Sequence, residues 1–323
     1  MSPPVLEPLI IIAALALAYA NGANANFKGV ASLFGSGTVS YWGAVKWATV
    51  TTAAGCLVAI WASGSLLAAF TGKGLVPSEL ATEPRFLLAV AAGAGLANLV
   101  ATRLGFPVST THLLLGGLLG AGLGERPEAV NFQRLWETFV RPLLLAPVLA
   151  IALGNALYFG LNSLRWVPET RNRTLDVLHF LSGGAVCFAR GLNDTAKMAA
   201  LMVGVAGLSV KASMLLVLVT MALGGILSAR QVADTLAHKI TGMSPGQGFV
   251  ANLATSVLTT TASLHGLPVS TTHVSVGALL GIGITTRQAK WKTIIPVLLA
   301  WLVTLPCAAL LSALTWRLIA AAN

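Results

Sequence analysis

Apolar residues run along this chain in long blocks, not at the spacing of a surface helix or a half-buried strand. Residues 6–20, 42–70, 86–101, 143–161, 214–227 and 294–318 are almost free of charge. A helix needs about 20 apolar residues to cross the hydrocarbon of a bilayer, and shorter blocks suggest re-entrant or broken helices. Such windows predict roughly nine to twelve membrane segments. The expected fold class is therefore an all-α polytopic membrane protein.

Composition agrees. Of 323 residues, 56% are hydrophobic and 9% charged, and the mean hydropathy is +0.81. A water-soluble domain carries roughly a quarter charged residues. The net charge of +10 comes from 20 basic and 10 acidic residues. The basic ones sit mainly in short connections, such as Arg165, Arg171 and Arg173, and Arg287, Lys290 and Lys292. Loops of this kind mark the cytoplasmic side of a membrane protein, so nucleic acid is not expected as a partner. The expected location is the inner (plasma) membrane of a prokaryote, with lipid around the chain. The opening MSPPVLEP has no Lys or Arg ahead of the first apolar block, which argues against a removed secretory leader. Cys56, Cys187 and Cys307 stand singly in apolar surroundings and read as small hydrophobes.

The chain is internally repeated. GFPVSTTHLLLGGLLGAG begins at Gly105 and GLPVSTTHVSVGALLGIG at Gly266; twelve of the 18 positions are identical, at an offset of 161. A weaker pair precedes each copy: NGANANFKG from Asn21 and RGLNDTAKM from Arg190. Aligning Gly22 with Gly191 pairs Asn24 with Asn193 and Lys28 with Lys197. The expected organisation is a first transmembrane repeat over 1–161, a connecting loop over 162–176 and a second repeat over 177–323. Polar interruptions at matching places in two halves point to a transporter whose site lies between the repeats near the bilayer midplane. Whether the repeats are inverted depends on the parity of crossings per half, which the windows leave open.

PVSTTH occupies Pro107–His112 and Pro268–His273. Gly-x-Pro interrupts the preceding backbone, Pro suits a first helical turn, and Ser and Thr cap the free N–H groups there. The expected product is a helix N-terminus inside the membrane, carrying hydroxyl donors and a positive dipole end. Two such ends meeting head to head would clasp one anion through Ser109, Thr110 and Thr111 with Ser270, Thr271 and Thr272. The competing reading is that these hydroxyls only cap helix ends. His112 and His273 are candidates for a proton relay, with packing against a neighbouring carbonyl as the alternative.

Lys28 lies among Asn21, Asn24 and Asn26, and Lys197 follows Asn193 and Asp194. An ionisable group at membrane depth costs several kcal/mol and usually faces a pathway or a partner. Lys28, Lys197, Asn24 and Asn193 are therefore candidate substrate contacts. Asp194 is the one acid in these motifs and the candidate for a coupling cation or proton, with Asn21, Asn24 and Asn193 beside it. A structural pair with Arg190 or Lys197 is its alternative. No metal is expected apart from a co-transported Na⁺, and no cofactor.

GxND together with PVSTTH, both duplicated, resembles the inorganic phosphate transporter (Pit) family, whose relatives include sulfate permeases. The resemblance covers nearly the whole chain. It implies an inverted-repeat symporter, homodimeric in many members, that carries an oxyanion with H⁺ or Na⁺ by alternating access. One departure matters. Phosphate-carrying members have GAND followed by Asn three residues on in the first half, whereas this chain has Gly22, Ala23, Asn24 and Ala25, with Lys28 at the later position. Sulfate only accepts hydrogen bonds, so loss of an acid and gain of a cation moves the first half toward sulfate. The expectation is a sulfate permease, with an inorganic phosphate symporter as the alternative.

Two other classes compete. Ser109 with His112, and Ser270 with His273, have the spacing of a nucleophile and base on one helix face. There is no GxSxG or HExxH, however, and two identical hydrolytic centres would be unusual, so an enzyme is not expected. A channel explains polar helix breaks, but not a buried Asp beside Lys.

Overall fold

The computed structural model describes residues 3–164, 172–239 and 244–321. Ten long helices carry the architecture: α1 (Pro3–Ala25), α2 (Tyr41–Ala62), α3 (Pro84–Arg103), α4 (Thr110–Glu125), α5 (Arg141–Ser163), α6 (Arg173–Ala199), α7 (Val210–Leu227), α8 (Pro245–Leu264), α9 (Thr271–Thr285) and α10 (Trp291–Ala321). Short helical segments join them, and no strand forms among the described residues. Among the described residues, seven helical stretches are long and apolar enough to span a bilayer, fewer than the nine to twelve predicted. The difference has a physical basis: α8 carries Gln247, Asn252, Thr255, Ser256, Thr259 and Ser263 on buried positions, and α4 and α9 are short. These are interior elements, shielded from lipid by the apolar helices around them. Leu144, Leu145, Leu299, Leu302 and Leu310 of α5 and α10 remain exposed, as a lipid-facing surface requires.

The ten helices form two sets of five in the same order, α1–α5 and α6–α10. Within each half the first helix packs on the third and the third on the fourth. Across halves the first helix of one packs on the second helix of the other, α1 on α7 and α6 on α2. The fourth packs on the fifth of the other half, α4 on α10 and α9 on α5. The halves are thus interlocked.

Glycines make the crossings close. A Cβ at Gly22 would lie 2.0 Å from the Met221 carbonyl oxygen, and at its equivalent Gly191 2.2 Å from that of Thr52. Lipid gives no hydrophobic drive for helix association, so backbone proximity of this kind carries the packing.

Helix α5 ends at Ser163, and Asn172, whose side-chain oxygen accepts from the Leu175 N–H, starts α6. Residues Arg173–Asp176 therefore belong to a helix and not to the loop. Arg165, Pro168, Glu169 and Arg171 lie outside the described residues.

Candidate functional site

Both PVSTTH copies break a helix in the same way. Gly105 and Gly266 take φ of 74° and 69°, a left-handed conformation that glycine adopts without penalty, and end α3 and α8. The chain then runs extended to Ser109 and Ser270, the N-caps of α4 and α9. Each serine hydroxyl accepts from the backbone N–H of His112 or His273 at 3.2 Å. Pro107 and Pro268 lie two residues before the cap, in the extended lead-in. The expected place in the first helical turn is corrected, because the serines cap at 109 and 270 and helix starts only at Thr110 and Thr271.

The two helix N-termini meet and exchange hydrogen bonds. Thr111 Oγ1 donates to the Val269 carbonyl at 2.9 Å, and Thr272 Oγ1 to the Val108 carbonyl at 2.8 Å. Thr110 accepts from Asn21 Nδ2 at 2.5 Å. Thr271 is buried at the head of α9.

Around this junction the C-terminal end of α6 and its counterpart on α1 bring the polar side chains of the second motif. Asn24 Nδ2 donates to Thr102 Oγ1 at 3.0 Å and to the Phe106 carbonyl at 2.9 Å, while its Oδ1 accepts from the Val108 N–H at 3.0 Å. Asn193 Nδ2 donates to Ser263 Oγ at 2.7 Å. Thr102 and Ser263 are repeat equivalents, and each also donates at 2.7 Å to a main-chain carbonyl one turn back, Asn98 or Thr259.

The charges are gathered and buried. Lys28, Arg190, Asp194 and Lys197 expose 5%, 1%, 1% and 0% of their surface. Asp194 Oδ1 is 3.5 Å from Lys197 Nζ, and its Oδ2 is 3.7 Å from Arg190 Nε and accepts from Asn21 Nδ2 at 3.2 Å. Arg190 also donates to Asn21 Oδ1 at 3.0 Å and Thr52 Oγ1 at 3.2 Å. One carboxylate thus stands among three basic side chains inside the membrane domain. Asp194 is paired with Arg190 and Lys197, the structural alternative set beside its coupling-ion reading, and Asn21 donates to it.

The histidines form a group of their own. Their rings meet edge to face at 4.5 Å, the His273 ring stacks on Trp301 at 3.9 Å, and His112 Nδ1 lies 3.1 Å from the Trp301 carbonyl. These are packing contacts of the kind set against the relay. They also separate Ser109 and Ser270 from their neighbouring imidazoles, since the serine hydroxyls serve backbone N–H groups.

Three contributors were missed from the sequence: Arg190, the hydroxyl pair Thr102 and Ser263, and the carbonyls of Val108 and Val269. The hydroxyl pair could have been found, since its members stand 161 apart, the spacing of the repeat. Arg190 was visible only as a partner for Asp194. Thr102 further lines a surface recess of about 400 Å³ with Tyr19, Arg103, Ser228, Arg230 and Gln231. At the equivalent place of the other half, Ser63 is fully buried and donates to the Leu192 carbonyl at 3.0 Å.

The profile of the phosphate transporter family matches residues 21–312, which include both copies of both motifs. The chain belongs to the phosphate transporter family. A probable low-affinity inorganic phosphate transporter of Rhizobium meliloti (strain 1021) is 29% identical, with 97% of this chain and 96% of that protein covered. One of the same description from Mycobacterium bovis (strain ATCC BAA-935 / AF2122/97) is 27% identical over 96% of this chain and 77% of its own. A solved structure described as the sodium-dependent phosphate transporter superposes with a TM-score of 0.83, covering 99% of this chain and 100% of that one at 21% identity, and shows the fold. Membership of this family makes the chain an integral membrane transporter and not an enzyme. Its apolar helices and bacterial relatives fit a prokaryotic inner membrane.

Proposed function

We propose that this protein is a cation-coupled symporter of inorganic phosphate, working by alternating access between its two halves. The observation that carries the reading is the buried cluster of Lys28, Arg190 and Lys197 against a single Asp194, set where two helix N-termini meet. Three basic side chains against one acid, with two positive dipole ends, suit a dianion. Phosphate at neutral pH keeps a proton, and Asp194 supplies an acceptor for it. The names of the relatives at 27–29% identity favour phosphate over the sulfate preference suggested by Ala25 and Lys28.

The anion would displace the internal contacts of the junction. Among the described residues Lys28 hydrogen-bonds the Val108 carbonyl alone, at a long 3.3 Å, a contact an anion would replace. Thr111 and Thr272 would give up carbonyl contacts, and Asn24 and Asn193 would orient the ligand from either half. A proton or Na⁺ arriving near Asp194 offsets the added charge. The recess beside Thr102 and the burial of Ser63 at the equivalent place differ between the halves, as alternating access requires, and exchange of the two arrangements would present the site to the other side.

Sulfate remains a second reading on one observation. Ala25, the equivalent of Asp194, leaves the first half with no carboxylate to repel a fully deprotonated anion. Uptake of labelled phosphate and labelled sulfate into proteoliposomes, under imposed H⁺ or Na⁺ gradients, separates the two. Phosphate uptake supports the proposal. Sulfate uptake without phosphate uptake overturns it in favour of the second reading.

A further inference from the structure

Lys197 and Lys28 are repeat equivalents with different surroundings. The Lys197 ammonium donates to Thr111 Oγ1 and to the Val269 carbonyl, each at 2.8 Å, and to Asn193 Oδ1; Asp194 Oδ1 completes the shell at 3.5 Å. An ammonium has three N–H groups, and all three are spent on these oxygens. None is left for an anion. The shell holds one hydroxyl, one main-chain carbonyl, one carboxamide and one carboxylate, all hard oxygen donors, drawn from both halves of the chain. That is the donor set a hard cation takes.

We infer that Lys197 is a built-in cation: its ammonium fills an oxygen cage of the kind that would otherwise hold a free monovalent ion, so no Na⁺ is needed there. Lys197 then ties α6 to the α4 and α9 N-termini as a fixed charge, while Lys28, with a single contact, is the lysine available to the transported anion. The sequence expectation that both lysines contact substrate divides accordingly. The carboxylate of Asp194 supports the caged ammonium from one oxygen, and Asn21 and Arg190 hold the other. This inference deepens the proposed function, and its uptake arm rests on that reading; its ion-binding arm does not.

The test removes the tethered charge and offers a free one. Thermal unfolding of the purified full-length protein in NaCl, against choline chloride at equal ionic strength, reads Na⁺ binding without any transported anion. The wild type is expected to unfold at the same temperature in both salts. Lys197→Ala should gain a Na⁺-specific rise of about 2–4 °C at saturating salt. Lys197→Ser, which keeps a small polar side chain at the cage, is the second variant and should gain it too. In proteoliposomes wild-type phosphate uptake should be unchanged between Na⁺ and choline under a proton gradient. The folded variant should lose roughly tenfold or more in choline and regain it with Na⁺ or methylammonium. A Na⁺-specific stabilisation of the wild type, or folded variants that gain none, overturns the inference. If no phosphate is taken up at all, the proposed function fails while the unfolding measurement still decides the cage.

Discussion

The two halves of this transporter place equivalent residues in unlike circumstances. Lys197 has three oxygen acceptors and a carboxylate beside it; Lys28 has one carbonyl at 3.3 Å and Ala25 where the carboxylate would stand. Asn24 adjoins a recess of about 400 Å³ through Thr102, whereas Asn193 bonds a buried Ser263 and Ser63, the equivalent of the recess-lining Ser228, is fully buried. The crossing threonines differ too: Thr272 only donates, while Thr111 donates to Val269 and accepts from Lys197. The repeat gives a symmetric frame; on the proposals above, one half holds a fixed charge and the other answers to the ligand.

The largest expected effect comes from Lys28. Truncating one member of a buried charge contact costs about 2–5 kcal/mol, so Lys28→Ala should lower gradient-driven phosphate uptake by roughly 100-fold or more, read as initial rates in proteoliposomes. Wild-type rates in that variant would remove the contrast between the lysines. Next is Asp194→Asn, which removes the negative charge of the proposed acceptor for the phosphate proton and puts an amide donor beside it. Phosphate uptake should fall about tenfold and the ratio of sulfate to phosphate uptake should rise by a similar factor. An unchanged ratio would mean that Asp194 does not read the anion's proton.

Accessibility sharpens the comparison at its outer edge. Ser228→Cys, at the mouth of the recess, should react with a membrane-impermeant maleimide at least about tenfold faster than Ser63→Cys at the buried counterpart. Equal labelling would mean that the asymmetry is not kept in the membrane. The smallest effect concerns the crossed threonines. A hydrogen bond contributes about 1 kcal/mol, and Thr111→Val removes two where Thr272→Val removes one. The former should lower the unfolding temperature by about 2–4 °C more than the latter.

Much of this was legible in the sequence. The blocks of apolar residues predicted membrane helices because lipid admits only a backbone that satisfies its own hydrogen bonds. The identical copies at Gly105 and Gly266 predicted paired helix breaks, and the structure joins them across the repeat. Ser109 and Ser270 cap α4 and α9, as their place ahead of an apolar helix predicted. Helix α8 escaped hydropathy windows because its polar residues face the interior, so a lipid-based criterion does not register it.

The sequence by itself determined the class of protein, the duplication and the identity of the charged and hydroxyl groups, since hydropathy, repeats and residue chemistry are properties of the linear chain. Which groups meet was decided only by tertiary structure. Thr111 and Val269 stand 158 positions apart, and Lys28 and Lys197 are chemically identical until the surrounding oxygens are counted. Hydrogen bonds fall off within a few tenths of an ångström, so the roles of these residues depend on distances that only the packed helices create.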